Sequence, residues 1–365
     1  MNTEPKTTMN ESVLDALKAA YGWETDQIKH RRFGSGHIHK TYLLTVDGQV
    51  YILQEFNDKV FSLPERISGN LAYLMEQFDP GQLPFALPMP VTNREGSFFT
   101  RLDGGLFRLF PFVSGITRDA IDQRGQAKIA AEAFARFIQV FLPADARQLK
   151  DTIPHFHDLE KRYRQFDTAL LHPKVSLDRA TKEMIDFYRE KSELVDKYLY
   201  YRSQLPLRVT HNDTKINNLI FAENLERVNA LIDLDTIMAG FVFFDFGDLV
   251  RTVACTRDES SMEWDSIDVD MVKYEGLLEG FYTVLAGEIG SEELESLPFG
   301  GEMMTLIMGV RFLTDHLNRN VYYQVQYPEQ NLHRAQNQAA LLDALIGKRA
   351  AINALEEKLR NELSL

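Results

Sequence analysis

Short runs of alternating apolar and polar residues dominate the first part of the chain, and this period of two is typical of β-strands. Strand-like runs occupy 41–46, 49–56, the two sides of 93–96, and 105–113. The first two flank Asp47-Gly48, a dipeptide that strongly favours a tight hairpin turn. Helical spacing is found over 12–20 and 64–78. The pattern predicts a small antiparallel sheet with one or two helices over about the first 110 residues.

A helical period takes over from about residue 121. Helices are predicted from there to about 141, and over 181–201, 271–286, 302–317 and 335–362. Two short strands, 218–221 and 228–233, interrupt the helices and are separated by a polar turn. We therefore predict an α+β fold with two lobes, a β-rich lobe over 1–112 and a larger, mainly helical lobe over 113–365.

Composition and charge exclude some classes of protein. The 365 residues carry 40 basic and 53 acidic side chains, and the net charge is −13. Nucleic acids and anionic membrane surfaces are bound through a basic footprint, so we expect neither as a partner. Hydrophobic residues make up 44% of the chain, which argues against disorder over most of it.

The single cysteine and the polar N-terminus indicate a compartment. Cys255 has no partner for an internal disulfide, so a reducing environment is the simplest expectation. Residues 1–11 contain no apolar signal core, and no apolar run approaches the ~18–20 residues of a membrane span. We therefore expect a cytoplasmic protein.

The segment LRVTHNDTKINNLIFAENLERVNALIDLDT, residues 207–236, contains the most informative polar residues. His211, Asp213 and Asn218 form the pattern H-x-D-x-x-x-x-N of a kinase catalytic loop. The two short strands that follow would form a hairpin, which returns Asp233 to the neighbourhood of Asn218. A single Asp in a loop is usually a turn residue or a helix cap. The agreement of loop pattern, hairpin, second Asp and upstream β-rich lobe favours a kinase-like site instead.

Phosphoryl transfer explains why these residue types would stand together, because it needs positioning and charge neutralisation more than covalent chemistry. Asp213 would accept a hydrogen bond from the attacking hydroxyl, orient it and take its proton. Asn218 and Asp233 offer hard oxygen ligands suited to Mg²⁺, which bridges the phosphates of ATP. His211 is expected to brace the loop and not to react.

At these residues the sequence resembles the aminoglycoside phosphotransferase-like small-molecule kinases, a group that includes choline and homoserine kinases. Longer strings are similar to the N-acetylhexosamine 1-kinases of that group, between Phe33 and Arg334: FGSGHIHKTYLL, YILQEFN, TIPHFHD, LRVTHNDTKINN, LIDLDTIMAG, FFDFGDLVR, GVRFLTDHLNRNVYY and YPEQNLHR. The resemblance implies a bilobal, protein-kinase-like fold, with ATP and Mg²⁺. It also implies phosphorylation of the anomeric hydroxyl of N-acetylglucosamine or N-acetylgalactosamine to the sugar 1-phosphate.

Two features depart from the broader kinase pattern on the nucleotide side. Gln54 stands in the strand where a phosphate-binding lysine is expected, so a positive charge is missing there, although the amide can still donate a hydrogen bond. The glycine loop is the short sequence Gly34-Ser35-Gly36. Its place before a strand pair makes a phosphate-binding loop as good an interpretation as an ordinary tight turn.

The resemblance also places three residues near the sugar. His37 follows the glycine loop, while Arg311 and Tyr322 would donate hydrogen bonds to sugar hydroxyls or the acetamide, or stack on the ring. Taken alone, Arg311 also fits a surface ion pair with Asp315, four residues on, and Tyr322 fits an ordinary core aromatic residue.

The remaining polar residues around the motif have supporting roles in this interpretation. Asp245 and Asp248 stand in an apolar stretch and are expected to support the catalytic loop structurally. Asp235 would share a strand face with Asp233, so a role as second metal ligand stays open. The H-x-H pair of His155 and His157 lacks further ligands, and a structural or capping role is favoured over a metal site.

Two alternative functions stay open. One is a related kinase for another alcohol, such as another sugar, choline, homoserine or an aminoglycoside. The other is a non-catalytic, nucleotide-binding protein on a kinase scaffold, which only Gln54 supports. The complete set of Asp213, Asn218 and Asp233 argues against that second alternative.

Overall fold

The structure, a computed structural model, describes residues 9–25, 27–34, 39–58, 61–102 and 105–363. An antiparallel five-stranded sheet in the order β1-β2-β3-β5-β4 forms the first lobe. Its strands are β1 (Ile28–Arg32), β2 (Lys40–Val46), β3 (Gln49–Phe56), β4 (Thr100–Leu102) and β5 (Gly105–Pro111). Helices α1 (Glu11–Tyr21) and α2 (Pro64–Gln77) accompany it. The predicted antiparallel lobe is confirmed, but the strand pair expected around 93–96 is not found in the described residues: β4 pairs with β5, and Val91 makes only an isolated bridge to Leu109.

The Asp47-Gly48 turn sets the register of the β2–β3 hairpin. Both residues have positive φ, 49° and 82°, as the tight turns that suit twisted strands require. Val46 therefore pairs with Gln49, and the pairing continues to Lys40 and Glu55. One sheet face packs on α1 through a small core of Leu17, Tyr42, Leu44, Leu53, Phe107 and Leu109.

Helices form most of the second lobe. They are α3 (Arg124–Val140), α4 (Leu159–Leu171), α5 (Arg179–Glu190), α6 (Glu193–Gln204), α7 (Val242–Leu249), α8 (Met271–Leu285), α9 (Ser291–Glu295), α10 (Leu297–Leu317), α11 (Gln330–Gly347) and α12 (Arg349–Glu362). Between α6 and α7 lie two antiparallel strand pairs, β6 (Arg208–Thr210) with β9 (Met238–Gly240), and β7 (Leu219–Phe221) with β8 (Val228–Leu231). The α+β, bilobal prediction is confirmed.

Three boundaries differ from those the pattern predicted. The segment 181–201 is two helices, which meet at Lys191 and Ser192, and 335–362 is likewise two helices, which meet at Lys348. The last strand before Asp233 ends at Leu231, because residues 234–236 form a short 3₁₀ turn. β1, α4 and α7 are found where no element was predicted.

One hydrophobic core spans both lobes. Phe56 and Leu71 of the first lobe pack in the same cluster as Phe134, Leu231 and Leu234 of the second. The boundary expected at residue 112 falls between β5 and α3 and stays a prediction. None of the described helices combines the length and hydropathy needed to cross a bilayer.

Candidate active site

The loop from His211 to Asn218 joins β6 to β7 and is fixed from α7 by Asp245. The Asp245 carboxylate accepts hydrogen bonds from the backbone N–H groups of His211 and Asn212, each at 2.8 Å. Thr214 Oγ1 donates to the Asp245 carbonyl at 2.7 Å. Burial outweighs these bonds and raises the pKa of Asp245 to about 6. The Asp245 carboxylate therefore fixes the backbone of the first two residues of the loop.

His211 links this loop to the segment that carries Asp233. Its side chain is fully buried, and Nε2 donates to the carbonyl of Ile232 at 3.1 Å. The backbone carbonyl of His211 accepts from Thr236 Oγ1 at 2.8 Å. The ring packs edge-on against Phe134 and Phe137. His211 thus lies between two loops, in a position to brace them.

Asp213 lies at the cleft with two partners that orient its carboxylate. Lys215 Nζ is 3.0 Å from Oδ1, and Asn218 Nδ2 donates to Oδ2 at 3.1 Å and to the Asp213 carbonyl at 2.8 Å. Burial acts to raise the pKa of Asp213, but the Lys215 ammonium and the hydrogen bonds outweigh it and lower that pKa. The side chain is therefore an ionised, oriented hydrogen-bond acceptor.

The β7–β8 hairpin brings Asp233 back to Asn218. Ile232 N donates to the Asn218 carbonyl at 2.9 Å, and Asp233 itself has a left-handed backbone with φ of 62°. Its side chain reaches solvent. Desolvation within the cleft and the nearby carboxylates of Asp235 and Asp213 raise the pKa of Asp233 to about 6. Such a carboxylate gains strongly from a bound cation.

The donor set fits Mg²⁺. Both bonds from Asn218 to Asp213 use its Nδ2, so its Oδ1 is the atom left for a cation. Asp233 adds a carboxylate, and hard oxygen donors of this kind suit Mg²⁺, which usually keeps waters and phosphate oxygens as its other ligands. In the described part of the chain, no group of three or more His, Cys, Asp or Glu side chains is placed to hold a metal. A site completed by nucleotide phosphates therefore fits better than an all-protein cage.

Asp235 faces the sheet lobe instead of the cation position. Its side chain is 1% exposed, Arg108 Nη2 donates to Oδ2 at 2.7 Å, and Arg108 Nη1 donates to Oδ1. His39 Nε2 lies 3.1 Å from Oδ2. The expectation that Asp235 shares a strand face with Asp233 is wrong, because the strand ends before both residues. Both oxygens of the Asp235 carboxylate are therefore bound by residues of the first lobe.

The nucleotide side has a cation that the sequence did not reveal. Gln54 of β3 is paired in register with Arg108 of β5, and Arg108 Nε donates to Gln54 Oε1 at 2.9 Å. A cation therefore lies beside Gln54 on the neighbouring strand, with both of its terminal nitrogens bound to Asp235. Gly34 has φ of 72°, as a tight turn requires. The predicted residues Ser35, Gly36 and His37 lie outside the described residues.

Arg311 lies among aromatic rings, not at the surface. It is 8% exposed, and its guanidinium carbon lies 5.0, 5.7 and 5.6 Å from the ring centres of Phe156, Tyr322 and Tyr323. Asp315 instead accepts the backbone N–H groups of Tyr322 and Tyr323, both at 2.9 Å. The interpretation as a surface ion pair is wrong, because the helix turns Arg311 inward. Tyr322 is 58% exposed and is not a core residue.

A chain of contacts connects this aromatic cluster to the catalytic loop. The rings of Phe156 and His157 lie 4.2 Å apart, and His157 Nε2 is 3.0 Å from the carbonyl of Asn212, next to Asp213. Burial lowers the pKa of His157 to about 4, so the ring is neutral near pH 7. His157 is therefore a buried structural residue, while His155 is exposed beside Asp158, which caps α4 by accepting from Lys161 N at 3.0 Å.

Three buried polar atoms near Arg311 have no hydrogen-bond partner within the described chain: Arg162 Nε, His157 Nδ1 and Tyr323 Oη. Burial, together with the charge of Arg311, lowers the pKa of Arg162 to about 10. Buried polar atoms are rarely left unsatisfied in native proteins. In proteins such atoms are satisfied by ordered water or by a bound group. We call Arg311, Arg162, Phe156, Tyr322 and Tyr323 the arginine–aromatic cluster.

Among the described residues, Asp248 makes no hydrogen bond to the catalytic loop and pairs with Arg251 instead. It accepts hydrogen bonds from Arg251 at 2.8 Å (Nη2) and 3.1 Å (Nε), and Arg251 Nη1 also pairs with Glu259. Asp245 binds the loop directly, whereas the Asp248 charge acts on it at a distance and is one of the causes that raise the pKa of Lys215. Asp248 thus stabilises the buried Arg251 in a turn that continues α7.

Sequence reasoning missed four residues of the site: Lys215, Arg108, His39 and Arg162. Lys215 lies inside the catalytic motif and could have been found there. Arg108 is a lone charge in the apolar run Leu106–Phe110, which is a signal of a buried role. His39 and Arg162 carry no local signal, because only the fold brings them to the cleft.

Comparison with known proteins places these features in context. A family model described as the phosphotransferase enzyme family (APH) matches residues 29–267. An aminoglycoside phosphotransferase from Alicyclobacillus acidocaldarius has a TM-score of 0.62 at 16% identity, over 99% of this chain and 98% of its own. A microcompartment-associated aminopropanol kinase gives 0.62 and 15%, over 92% and 98%.

A spectinomycin phosphotransferase solved with ADP and spectinomycin has a TM-score of 0.54 at 14% identity, over 93% of this chain and 99% of its own. At these identities the solved structures show that the fold is shared across nearly the whole chain.

Proposed function

The chain belongs to the phosphotransferase enzyme family, and we propose that within it the protein is an N-acetylhexosamine 1-kinase. It would use ATP and Mg²⁺ to phosphorylate the anomeric hydroxyl of N-acetylglucosamine or N-acetylgalactosamine. That the chain is a small-molecule phosphotransferase acting on a hydroxyl group follows from the family. ADP in the spectinomycin phosphotransferase supports a nucleotide as the phosphoryl donor.

The arginine–aromatic cluster carries the choice of acceptor. Arg311 is buried beside three rings, and its one hydrogen bond within the described chain goes to the Met308 sulfur at 3.4 Å. A guanidinium without a carboxylate partner can donate to another oxygen acceptor, and the carbonyl of an acetamide is one. Tyr322 offers a ring and a hydroxyl to a sugar. The cluster therefore favours a neutral, oxygen-rich acceptor.

Charge argues against the cationic acceptors among the alternatives. Ammonium groups are recognised by carboxylates and by aromatic faces free of a competing cation. In the arginine–aromatic cluster the faces of Phe156 and Tyr323 are already occupied by Arg311, and Arg162 adds a second guanidinium. The nearby Asp315 is used by backbone N–H groups. Choline and aminoglycosides would meet repulsion here.

Asp213 would position the acceptor hydroxyl and receive its proton. Its lowered pKa keeps the carboxylate ionised at neutral pH, so that it accepts a hydrogen bond from the attacking hydroxyl. The Lys215 ammonium and the Asn218 amide each bind one oxygen of this carboxylate and so fix its orientation. Asp245 keeps the backbone of the loop in place beneath them.

Asn218 and Asp233 would hold the metal ion. When bound, Mg²⁺ neutralises charge on the transferred phosphoryl group and its leaving oxygens. The amide of Gln54 retains N–H donors, because Arg108 uses only its Oε1, and can donate to a phosphate. Gly34, Ser35 and Gly36 are the candidates for a loop over the phosphates.

An acceptor panel tests this proposal. The protein is incubated with ATP and Mg²⁺ and, separately, N-acetylglucosamine, N-acetylgalactosamine, glucose, choline, homoserine and kanamycin, and ADP release is followed. We expect turnover with the two N-acetylhexosamines and little with choline or kanamycin. Turnover with a cationic acceptor and none with either N-acetyl sugar would overturn the substrate assignment and leave the family intact.

A further inference from the structure

Arg108 is a charged side chain in the interior of the sheet lobe. It is 1% exposed on β5, and its guanidinium carbon lies 4.9, 5.7 and 5.1 Å from the ring centres of Phe56, Phe99 and Phe110. A buried guanidinium is retained only when its N–H groups are well paired. Here Nε donates to Gln54, and both terminal nitrogens donate to Asp235.

His39 binds the same carboxylate from the start of β2. Its Nδ1 accepts the backbone N–H of Asn57 at 3.0 Å, so the proton of the neutral ring is on Nε2, which donates to Asp235 Oδ2. The His39 ring stacks on Phe56 with ring centres 4.8 Å apart. Asp235 is therefore held by two strands of the sheet lobe at once.

Asp235 belongs to the other lobe and lies two residues beyond Asp233. The same segment is tied to α2, where the buried Asn70 donates from Nδ2 to the Ile237 carbonyl at 2.9 Å. Kinases commonly join the phosphate-binding strand to the neighbouring helix by a Lys–Glu ion pair. Here Gln54 replaces the lysine, and both glutamates of α2, Glu65 and Glu76, are exposed. The ion pair that joins the lobes here is instead formed by Arg108 and Asp235.

We propose that Arg108 is a positioning residue that replaces this ion pair: by holding Asp235 against the sheet, it fixes the strained backbone of Asp233 beside Asn218. The inference rests on the proposed kinase function. Arg108 acts through Asp235, and its packing under three rings keeps it away from the substrates. The left-handed conformation of Asp233 needs such external support, because a non-glycine residue there is under strain.

Paired variants separate positioning from simple stabilisation. R108M leaves the buried Asp235 carboxylate with only the His39 ring as its hydrogen-bond partner and is expected to destabilise the fold. R108M/D235N removes both charges and should recover thermal stability. The control is R349Q, which breaks the bidentate contact of Arg349 with Glu302 (2.6 and 2.7 Å) on the far helices. Each variant is measured by amide hydrogen exchange over 232–238, by ADP affinity, and by kcat and KM.

For R108M/D235N we expect at least a tenfold rise in exchange over 232–238 and at least a hundredfold loss of kcat. The KM for the acceptor should stay within about threefold, and R349Q should match the wild type in kcat and in exchange over 232–238. A double variant with native stability, native exchange and native kcat would overturn the proposal. Exchange and ADP affinity are measured without acceptor, so a wrong acceptor assignment leaves this test intact.

Discussion

Replacing Arg311 with methionine should separate acceptor recognition from stability. The guanidinium lies over three aromatic rings and is 8% exposed, yet no carboxylate in the described chain pairs with it. Its removal therefore leaves no buried anion behind. This differs from Arg108, whose loss would leave the buried carboxylate of Asp235 without its cationic partner.

The magnitudes decide which effect dominates. The guanidinium lies over three rings, and a buried cation–π interaction is worth about 2 kcal/mol, while removal of an unpaired buried charge returns a desolvation penalty of several kcal/mol. Because the two terms oppose each other, we expect the net stability to change by no more than about 2 kcal/mol. A charge-assisted hydrogen bond to a substrate carbonyl is worth about 1.5–3 kcal/mol, which corresponds to a loss of roughly 10- to 150-fold in kcat/KM for the acceptor.

Steady-state kinetics and thermal unfolding of R311M test both numbers. K197M is the matched control, because Lys197 lies over Phe299 at 4.9 Å between α6 and α10. We expect R311M to lose acceptor kcat/KM with an unchanged KM for ATP and an almost unchanged Tm, and K197M to keep its activity. A large drop in Tm with normal acceptor kinetics would instead show that Arg311 is a structural residue.

Three further outcomes follow from the geometry. D213N should lower kcat by about 10²- to 10⁴-fold and leave nucleotide affinity near the wild-type value, because the general base is lost while its neighbours remain; unchanged turnover would remove Asp213 from this role. The pKa of Asp233, raised to about 6, means that the carboxylate takes up a proton as pH falls through that value. Affinity for Mn²⁺, followed by calorimetry, should therefore drop about tenfold per pH unit below about 6, and a constant affinity between pH 7 and pH 5 would count against Asp233 as a ligand. G300A should destabilise the fold by about 1–3 kcal/mol, since its Cβ would lie 2.2 Å from the Phe243 carbonyl where α7 and α10 cross. G69A, in open space on α2, should be neutral or stabilising by up to about 1 kcal/mol. Both variants are measured by urea unfolding, and equal effects of the two substitutions would contradict this packing.

Local signals in the sequence predict the elements that depend on neighbouring residues. The Asp47-Gly48 turn defines a hairpin, because positive φ at two adjacent positions is encoded by those residues. The catalytic motif lies within eight residues, His211 to Asn218, and the β7–β8 hairpin carries Asp233 back over a short distance. Interactions between residues this close together in the chain can be predicted from a single sequence.

The interactions that sequence reasoning missed join residues far apart in the chain. Arg108 and Asp235 are separated by 127 residues and meet only when the two lobes pack. Arg311 lies off the apolar face of its helix, so its burial depends on Phe156 and Tyr323, which other segments supply. The turn at 234–236 follows an apolar run that looks continuous, which is why the pattern places Asp235 on a strand. Tertiary packing, not local preference, sets each of these positions.

The position of the transferred phosphate on the sugar tests the proposed phosphorylation of the anomeric hydroxyl. Product formed from N-acetylglucosamine, ATP and Mg²⁺ is examined by phosphorus and proton NMR for coupling between phosphorus and the anomeric proton. We predict one phosphorylated product, with the phosphate on the anomeric oxygen. A phosphate on any other hydroxyl, or no transfer to either N-acetylhexosamine, would contradict it.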